Sequence, residues 1–313
     1  MGYADIYESR FGSRKPARMT IATRRAEGAE DVPATLAVVC YGGAWRTVVA
    51  LLVVASRASL PLVMARLVFG DDPPLTPLVL VGLVTTMIVV PEALAALFRR
   101  AFAATITVEG DAVVITRHDV RIEIPRSAIV AVVPWKLPLP STGASLLLRS
   151  GRRFGYQIGL AAPSRLVTFL AERAGAGTRT LRDDPAFLHA DAGRHAGVLR
   201  WWQWLVKFPL LGLLPTAVLF RAHQWIAYGG TLGQYYTYGA RAYLLTFLEY
   251  WTTVTIYLAL WAGIWRVGAE IAAWSAARLA PGSVFRVRRC VEIGCRVLYY
   301  GGVPALLVLR FMP

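Results

Sequence analysis

Hydrophobic and polar residues alternate with period two across the middle of this chain, between two blocks of long, unbroken apolar runs. From Ala104 to Ala174 the phrase TITVEGDAVVITRHDVRIEIP turns at Gly110-Asp111 and at His118-Asp119, residue types suited to a backbone reversal, and predicts three short antiparallel strands. Ile122 and Ile124 interleave with Arg121 and Glu123, giving one dry and one wet face. A further strand, or a helical turn beginning it, is expected over 126–133, then an irregular proline loop with Pro134, Pro138 and Pro140, then a hairpin around Ser150-Gly151. Over Pro163–Gly175 the spacing becomes helical, with Leu166, Phe169 and Leu170 on one face.

The flanking blocks are long enough to cross a bilayer, which takes about 20 apolar residues per helix. Five spans are expected, near Trp45–Phe69, Leu78–Phe98, Leu205–Ile226, Leu244–Trp265 and Val291–Leu309. The apolar run that begins at Thr35 is too long for one perpendicular span, so its start is read as an interfacial or buried lead-in up to about Ala44. That register puts Arg57 at mid-membrane; a span shifted to Leu36–Ser56 would put it near an interface. The fold class expected is an α-helical polytopic membrane protein with an inserted small antiparallel β domain capped by a helix. Its parts are a tail (1–34), spans one and two (35–100), the β domain (101–176), a linker (177–200) and spans three to five (201–313). The tail lacks an apolar run directly behind a basic start, so it is not read as a cleaved signal peptide.

Composition agrees. Of 313 residues 56% are hydrophobic and 17% charged, against roughly 25% charged in soluble domains, and mean hydropathy is +0.48. The net charge of +15 comes mostly from Arg spread over every segment expected on the cytoplasmic side, which fits topology and anionic headgroups and argues against nucleic acid. By the positive-inside rule the N-terminus and the β domain are cytoplasmic and the C-terminus external.

Candidate chemistry is sparse. Arg57, Glu92 and Glu249 are ionisable residues inside expected spans, where a charge needs a partner or a watery lining; Glu92 is expected at an interface or paired with an Arg of the first span. Glu292 and Arg296 are four apart on one helix and are expected to satisfy each other. Trp201, Trp202 and Trp204 read as interface anchors; Tyr235, Tyr236 and Tyr238 belong to an interface belt or line a groove. Cys40, Cys290 and Cys295 have no metal or redox spacing, and the set Asp183, Asp184, His189, Asp191 and His195 is broken in register by Gly193. No catalytic residue, metal or cofactor is expected.

The strand order, the phrase Ile124-Pro125 followed by Ile129 and Val132, the hairpin turning at Ser150-Gly151-Arg152 and the closing helix together resemble the bacterial pleckstrin-homology-like (PH-like) domains of small membrane proteins, over about residues 104–175. The resemblance implies a curved, partly closed sheet capped by a C-terminal helix, acting in binding or assembly without catalytic residues. It also implies a bacterial inner-membrane location. Three readings stand. The first is a non-catalytic membrane component whose PH-like domain binds a protein partner and whose helices join a membrane complex in lipid. The second is a transporter or channel subunit using Arg57, Glu249 and the proline-broken third span, and the third is a membrane-embedded enzyme acting on lipid.

Overall fold

The computed structural model describes residues 35–69, 76–118, 120–160, 166, 168–170, 184–195, 201–302 and 304–305. The tail over 1–34, the acidic turn after Gly70, most of the closing helix and linker, and the end of the span expected over Val291–Leu309 lie outside the described residues. The chain forms two compact units. One draws on Met1–Ala50, Ala96–Val198 and Ala277–Gly282, and holds the sheet. The other draws on Leu51–Ala95, Leu199–Ala276 and Ser283–Pro313, and is helical.

The sheet unit has seven antiparallel strands: β1 (Thr35–Gly42), β2 (Ala103–Glu109), β3 (Ala112–Arg117), β4 (Val120–Pro125), β5 (Ile129–Pro134), β6 (Gly143–Leu148) and β7 (Tyr156–Gly159). Their order is β4-β3-β2-β1-β7-β6-β5. The three strands expected over 104–125 are present, and Gly110, at φ +56°, supplies the left-handed residue that the β2–β3 reversal needs. One expectation is corrected. The apolar lead-in before Ala44 is not membrane sequence but β1, the central strand of the sheet. Val39 is matched to Ala103 of β2 on one side and to Gly159 of β7 on the other. A central strand covered on both faces has no polar face to alternate, so LAVVCYG reads like the start of a span.

Leu36, Val38 and Cys40 point into one core with Ile106, Ile115, Ile124, Val132, Leu146 and Ile158. Leu166, Phe169 and Leu170 are helical, fully buried and packed on that core, as their spacing predicts. Phe187, on helix α3 (Pro185–His195), joins them; part of the expected linker is therefore a helix covering the sheet. Here Asp184 accepts the Ala186 amide at 2.8 Å, an N-cap that the linker reading overlooks.

β1 runs without a break into helix α1 (Gly43–Phe69), and helix α2 (Pro77–Ala101) returns almost directly into β2. A helical hairpin is thus inserted between two neighbouring strands. In α2 the stretch Thr85–Val89 is a π turn. Pro91 lacks an amide and its ring crowds the carbonyl four residues back, at Met87, so widening the ladder there relieves the conflict.

Helix α4 (Trp202–Tyr228) repeats this device at Val206–Leu210 around Pro209. Carbonyls displaced from the ladder find side chains instead: Tyr299 Oη donates to the Lys207 carbonyl (2.7 Å) and Trp251 Nε1 to the Pro209 carbonyl (2.8 Å). Helix α5 (Gly233–Leu279) follows after a short turn, interrupted at Gly239, whose φ of +82° is not helical. Buried Gln224 holds this turn: its Nε2 donates to Gln234 Oε1 (2.7 Å), and its own Oε1 accepts the Gln234 amide. Tyr235, Tyr236 and Tyr238, read as part of a connection, are therefore within the helical start of α5. Helix α6 (Val284–Tyr300) closes the described chain.

Among the described residues four helices are long and apolar enough to cross a membrane: Gly43–Leu67, Pro77–Ala101, Trp202–Tyr228 and Gly233–Leu279. They point to a membrane location, and large apolar side chains such as Leu62, Leu214 and Ile226 stand exposed along them. The fifth expected span falls only in part on described residues. It does not stand among those four helices: its described part, from Val291 on, carries Glu292 and Arg296, and the rest lies outside the described residues.

Candidate functional site

Two places gather polar chemistry, one in each unit. In the sheet unit it is the segment from the end of β1 into α1, together with the proline loop after β5. Trp45, Phe98 and Phe102 form a ring trio with centroids 5.1 to 6.4 Å apart, and Tyr41 stacks between Phe102 and Trp135. Arg46 lies 4.0 Å above the Trp135 ring. Its guanidinium donates to Gln157 Oε1 (2.5 Å), to the Leu139 carbonyl (3.2 Å) and to the Leu137 carbonyl (3.4 Å). A planar fork that stacks on a ring and reaches three acceptors at once fixes an otherwise irregular loop, which a lysine could not do. Arg278 closes the other side by donating to the Lys136 carbonyl. Neither arginine was legible as a site residue, because their acceptors, mostly backbone carbonyls, lie roughly 90 to 140 residues away.

The two edges of the sheet differ in charge. At β4, Arg121 pairs with Glu109 (2.7 Å) and Glu123 (2.8 Å), all exposed and worth little energy, but balanced in sign. From Pro125 to Leu160 the chain carries Arg126, Lys136, Arg149, Arg152 and Arg153 and no Asp or Glu. Lys136, Arg149, Arg152 and Arg153 are exposed, three of them on the β6–β7 turn. Among the described residues β5 pairs only with β6, and the exposed Val130 bulges out of that register between Ile129 and Ala131.

In the helical unit the polar centre is Arg288. Its side chain is 6% exposed and holds Glu270 with two bonds, at 2.7 and 3.1 Å, and Glu292 with one at 3.3 Å. Glu270 is shared with Arg266 at 3.2 Å. This corrects the expected Glu292–Arg296 pair: Glu292 is bound by Arg288, four residues before it, and Arg296 is exposed. Burial tends to strip charge from Arg288, and the two carboxylates more than offset this, holding its pKa above the ordinary arginine value.

The remaining sequence candidates are not brought together. Arg57 sits at the middle of α1, which selects the mid-helix register; it is half-buried, and no described residue bonds or pairs with it. Its neighbour Ser56 donates to the Ile88 carbonyl of α2 (3.0 Å). Glu92 is half-buried on α2. Glu249 is exposed on α5 without a described partner. Trp202 and Trp204 are exposed, as anchors would be, with Trp204 5.3 Å from Phe208, and the side chain of Trp201 lies outside the described residues. Tyr235, Tyr236 and Tyr238 are exposed, and Tyr235 and Tyr238 meet the rings of Tyr243 and Tyr228. Of the weighed metal set, His189 is buried and Asp191 half-buried on α3, Asp183 and the side chain of His195 lie outside the described residues, and no metal-holding cluster occurs among the described ones.

No protein-family model matches the chain, and no curated protein or solved structure matches it either.

Proposed function

We propose that this protein is a non-catalytic membrane adaptor. Its sheet unit, facing the cytoplasm, captures an acidic extended segment of a partner protein, and its helices hold that partner in a membrane complex. The observation that carries this reading is the one-signed surface of the β5–β7 half: Lys136, Arg149, Arg152 and Arg153 exposed and no acid from Pro125 to Leu160, beside an edge strand that pairs on one side only among the described residues. Clustered exposed cations on a rigid sheet select partners by charge and speed encounter. An edge strand offers main-chain hydrogen bonds to an extended peptide.

The tether supports the same reading. Because α1 leaves from β1 and α2 returns to β2, the chain enters and leaves the hairpin at two adjacent central strands. The seven-strand order, with buried helical residues 166, 169 and 170 on one face, is compatible with a PH-like sheet capped by a helix. Arg57 at mid-helix, with no partner among the described residues, fits an assembly in which a neighbouring chain supplies a carboxylate. The Arg-rich segments around the sheet support a cytoplasmic side, at a bacterial inner membrane in this reading.

The test is charge reversal at the turn. Full-length protein and the variant Arg149→Glu/Arg152→Glu/Arg153→Glu are extracted in mild detergent and their co-purifying chains compared. A chain with an acidic extended segment, lost in the variant and reproduced by a synthetic peptide of that segment, supports the adaptor reading. Identical companions for both proteins, or loss of binding to anionic vesicles as the only change, refutes it.

A further inference from the structure

The helical unit holds more cations than its carboxylates can serve. Arg288 takes both Glu270 and Glu292, and Arg266 shares only Glu270. Lys207 and Arg296 have no carboxylate partner among the described residues, and hydrogen bonds join their segments: Tyr299, three residues after Arg296, donates to the Lys207 carbonyl (2.7 Å), and Cys295 Sγ donates to the carbonyl of Trp265, next to Arg266 (3.6 Å). Like charges carried on neighbouring segments repel, and an anion between them relieves the repulsion.

The surroundings say what kind of anion. Lys207 Nζ is 4.5 Å from the Tyr299 ring and 5.4 Å from that of Phe208, and its backbone is pinned by the Tyr299 hydroxyl. Trp261 packs on the same aromatic cluster, and Trp265 lies 5.5 Å from it. Both indole N–H groups are buried and donate to no described acceptor. Buried donors of this kind are rare and call for an acceptor. The group stands where the apolar run of α5 stops at Arg266 and within two turns of the exposed Trp202 and Trp204, the depth at which headgroups meet a helix bundle.

We propose that Lys207, Arg266 and Arg296 form a binding site for a phosphate-bearing anion at the tryptophan belt of the helical unit. The phosphate oxygens would face the three cations, with Tyr299 and Phe208 forming the apolar wall for whatever the phosphate carries. An anionic phospholipid supplies this chemistry together with acyl chains for the exposed apolar band; a soluble phosphate supplies the anion alone.

The experiment uses full-length protein exchanged into nanodiscs of phosphatidylcholine with a minor fraction of phosphatidylglycerol. Native mass spectrometry counts retained phosphatidylglycerol, and inorganic phosphate is titrated in detergent as the soluble arm. Wild type should bind one arm or the other, and Lys207→Gln and Arg296→Gln should each weaken that binding about fivefold, the order expected for one basic residue at an anionic surface. Lys207→Arg should keep it, and so should Arg286→Gln/Arg289→Gln, which changes exposed charges of α6 outside the group. Retention of phosphatidylglycerol with inorganic phosphate ineffective assigns the lipid; the converse assigns a soluble anion. Equal binding in wild type and both glutamine variants, in both arms, overturns the site. Should those variants fail to fold, salt decides: wild-type binding that does not weaken from low to high ionic strength also overturns it.

Discussion

Arg288 of α6 closes on Glu270 of α5 with two parallel bonds, Nη2 to Oε1 at 2.7 Å and Nη1 to Oε2 at 3.1 Å, eighteen residues apart in sequence. Breaking a buried pair by removing one member leaves the other charge without compensation, at about 3–5 kcal/mol, whereas replacing both members with apolar residues costs far less. Arg288→Met is therefore expected to lower the thermal midpoint of the detergent-solubilised protein sharply. Arg288→Met/Glu270→Leu should recover most of that loss, and a double variant no better than the single one would contradict the pairing.

Gly143 opens β6 where two layers meet with no room for a side chain. A Cβ there would fall against the Ile158 carbonyl and within 2.7 Å of the Trp135 ring. The carbonyl belongs to the β6–β7 ladder and cannot yield, so Gly143→Ala should cost about 1–3 kcal/mol as overpacking. The readout is faster proteolysis of the sheet unit; a Gly155→Ala control, where an added Cβ meets nothing within 4 Å, should cleave at the wild-type rate.

Cys40 and Cys290 should differ sharply as thiols. Cys40 is buried in the sheet core, and the loss of hydration pushes its pKa up to about 11, with Arg117 opposing only in part. A pKa raised on folding makes the protonated thiol the native form. The associated stability is complete below the ordinary value of 9.0 and is lost as pH rises from there toward 11. Maleimide at pH 8 should label the exposed Cys290 and spare Cys40, and the sheet unit should lose stability between pH 9 and pH 11. A Cys40→Ser/Val comparison checks the second half: Cys40→Val should flatten that slope.

These residues also mark what was legible. Period-two alternation in 104–125 and the helical triplet Leu166, Phe169, Leu170 survive because each depends only on near neighbours in sequence. β1 was lost because a central strand with two dry faces has the hydropathy of a membrane helix, and its pairing with Ala103 and Gly159 lies more than sixty residues away. The polar centre was misassigned for a related reason. Glu292 and Arg296 satisfy the local i, i+4 rule, but Arg288 also lies four residues from Glu292 and has a second carboxylate waiting on another helix. Local spacing could not weigh Glu270, so it chose the exposed arginine.

Arg57 offers the clearest separation between stability and assembly. A guanidinium at the middle of a spanning helix costs about 2.5–3.5 kcal/mol on insertion scales unless something answers it. Among the described residues nothing does, and the side chain is only half-buried, on a helix whose neighbours Val54, Ala55 and Ala58 are exposed. If a partner chain supplies the carboxylate, Arg57→Leu removes a liability from the isolated protein and a contact from the complex. The variant should then insert and purify at least as well as wild type, with an equal or higher thermal midpoint. On native gels of mild-detergent extracts it should run in a smaller species than wild type. Arg57→Lys, which retains the charge, should restore much of the larger species. A variant that is destabilised yet still runs in the larger species would place the answering group within this chain and remove Arg57 from the assembly surface.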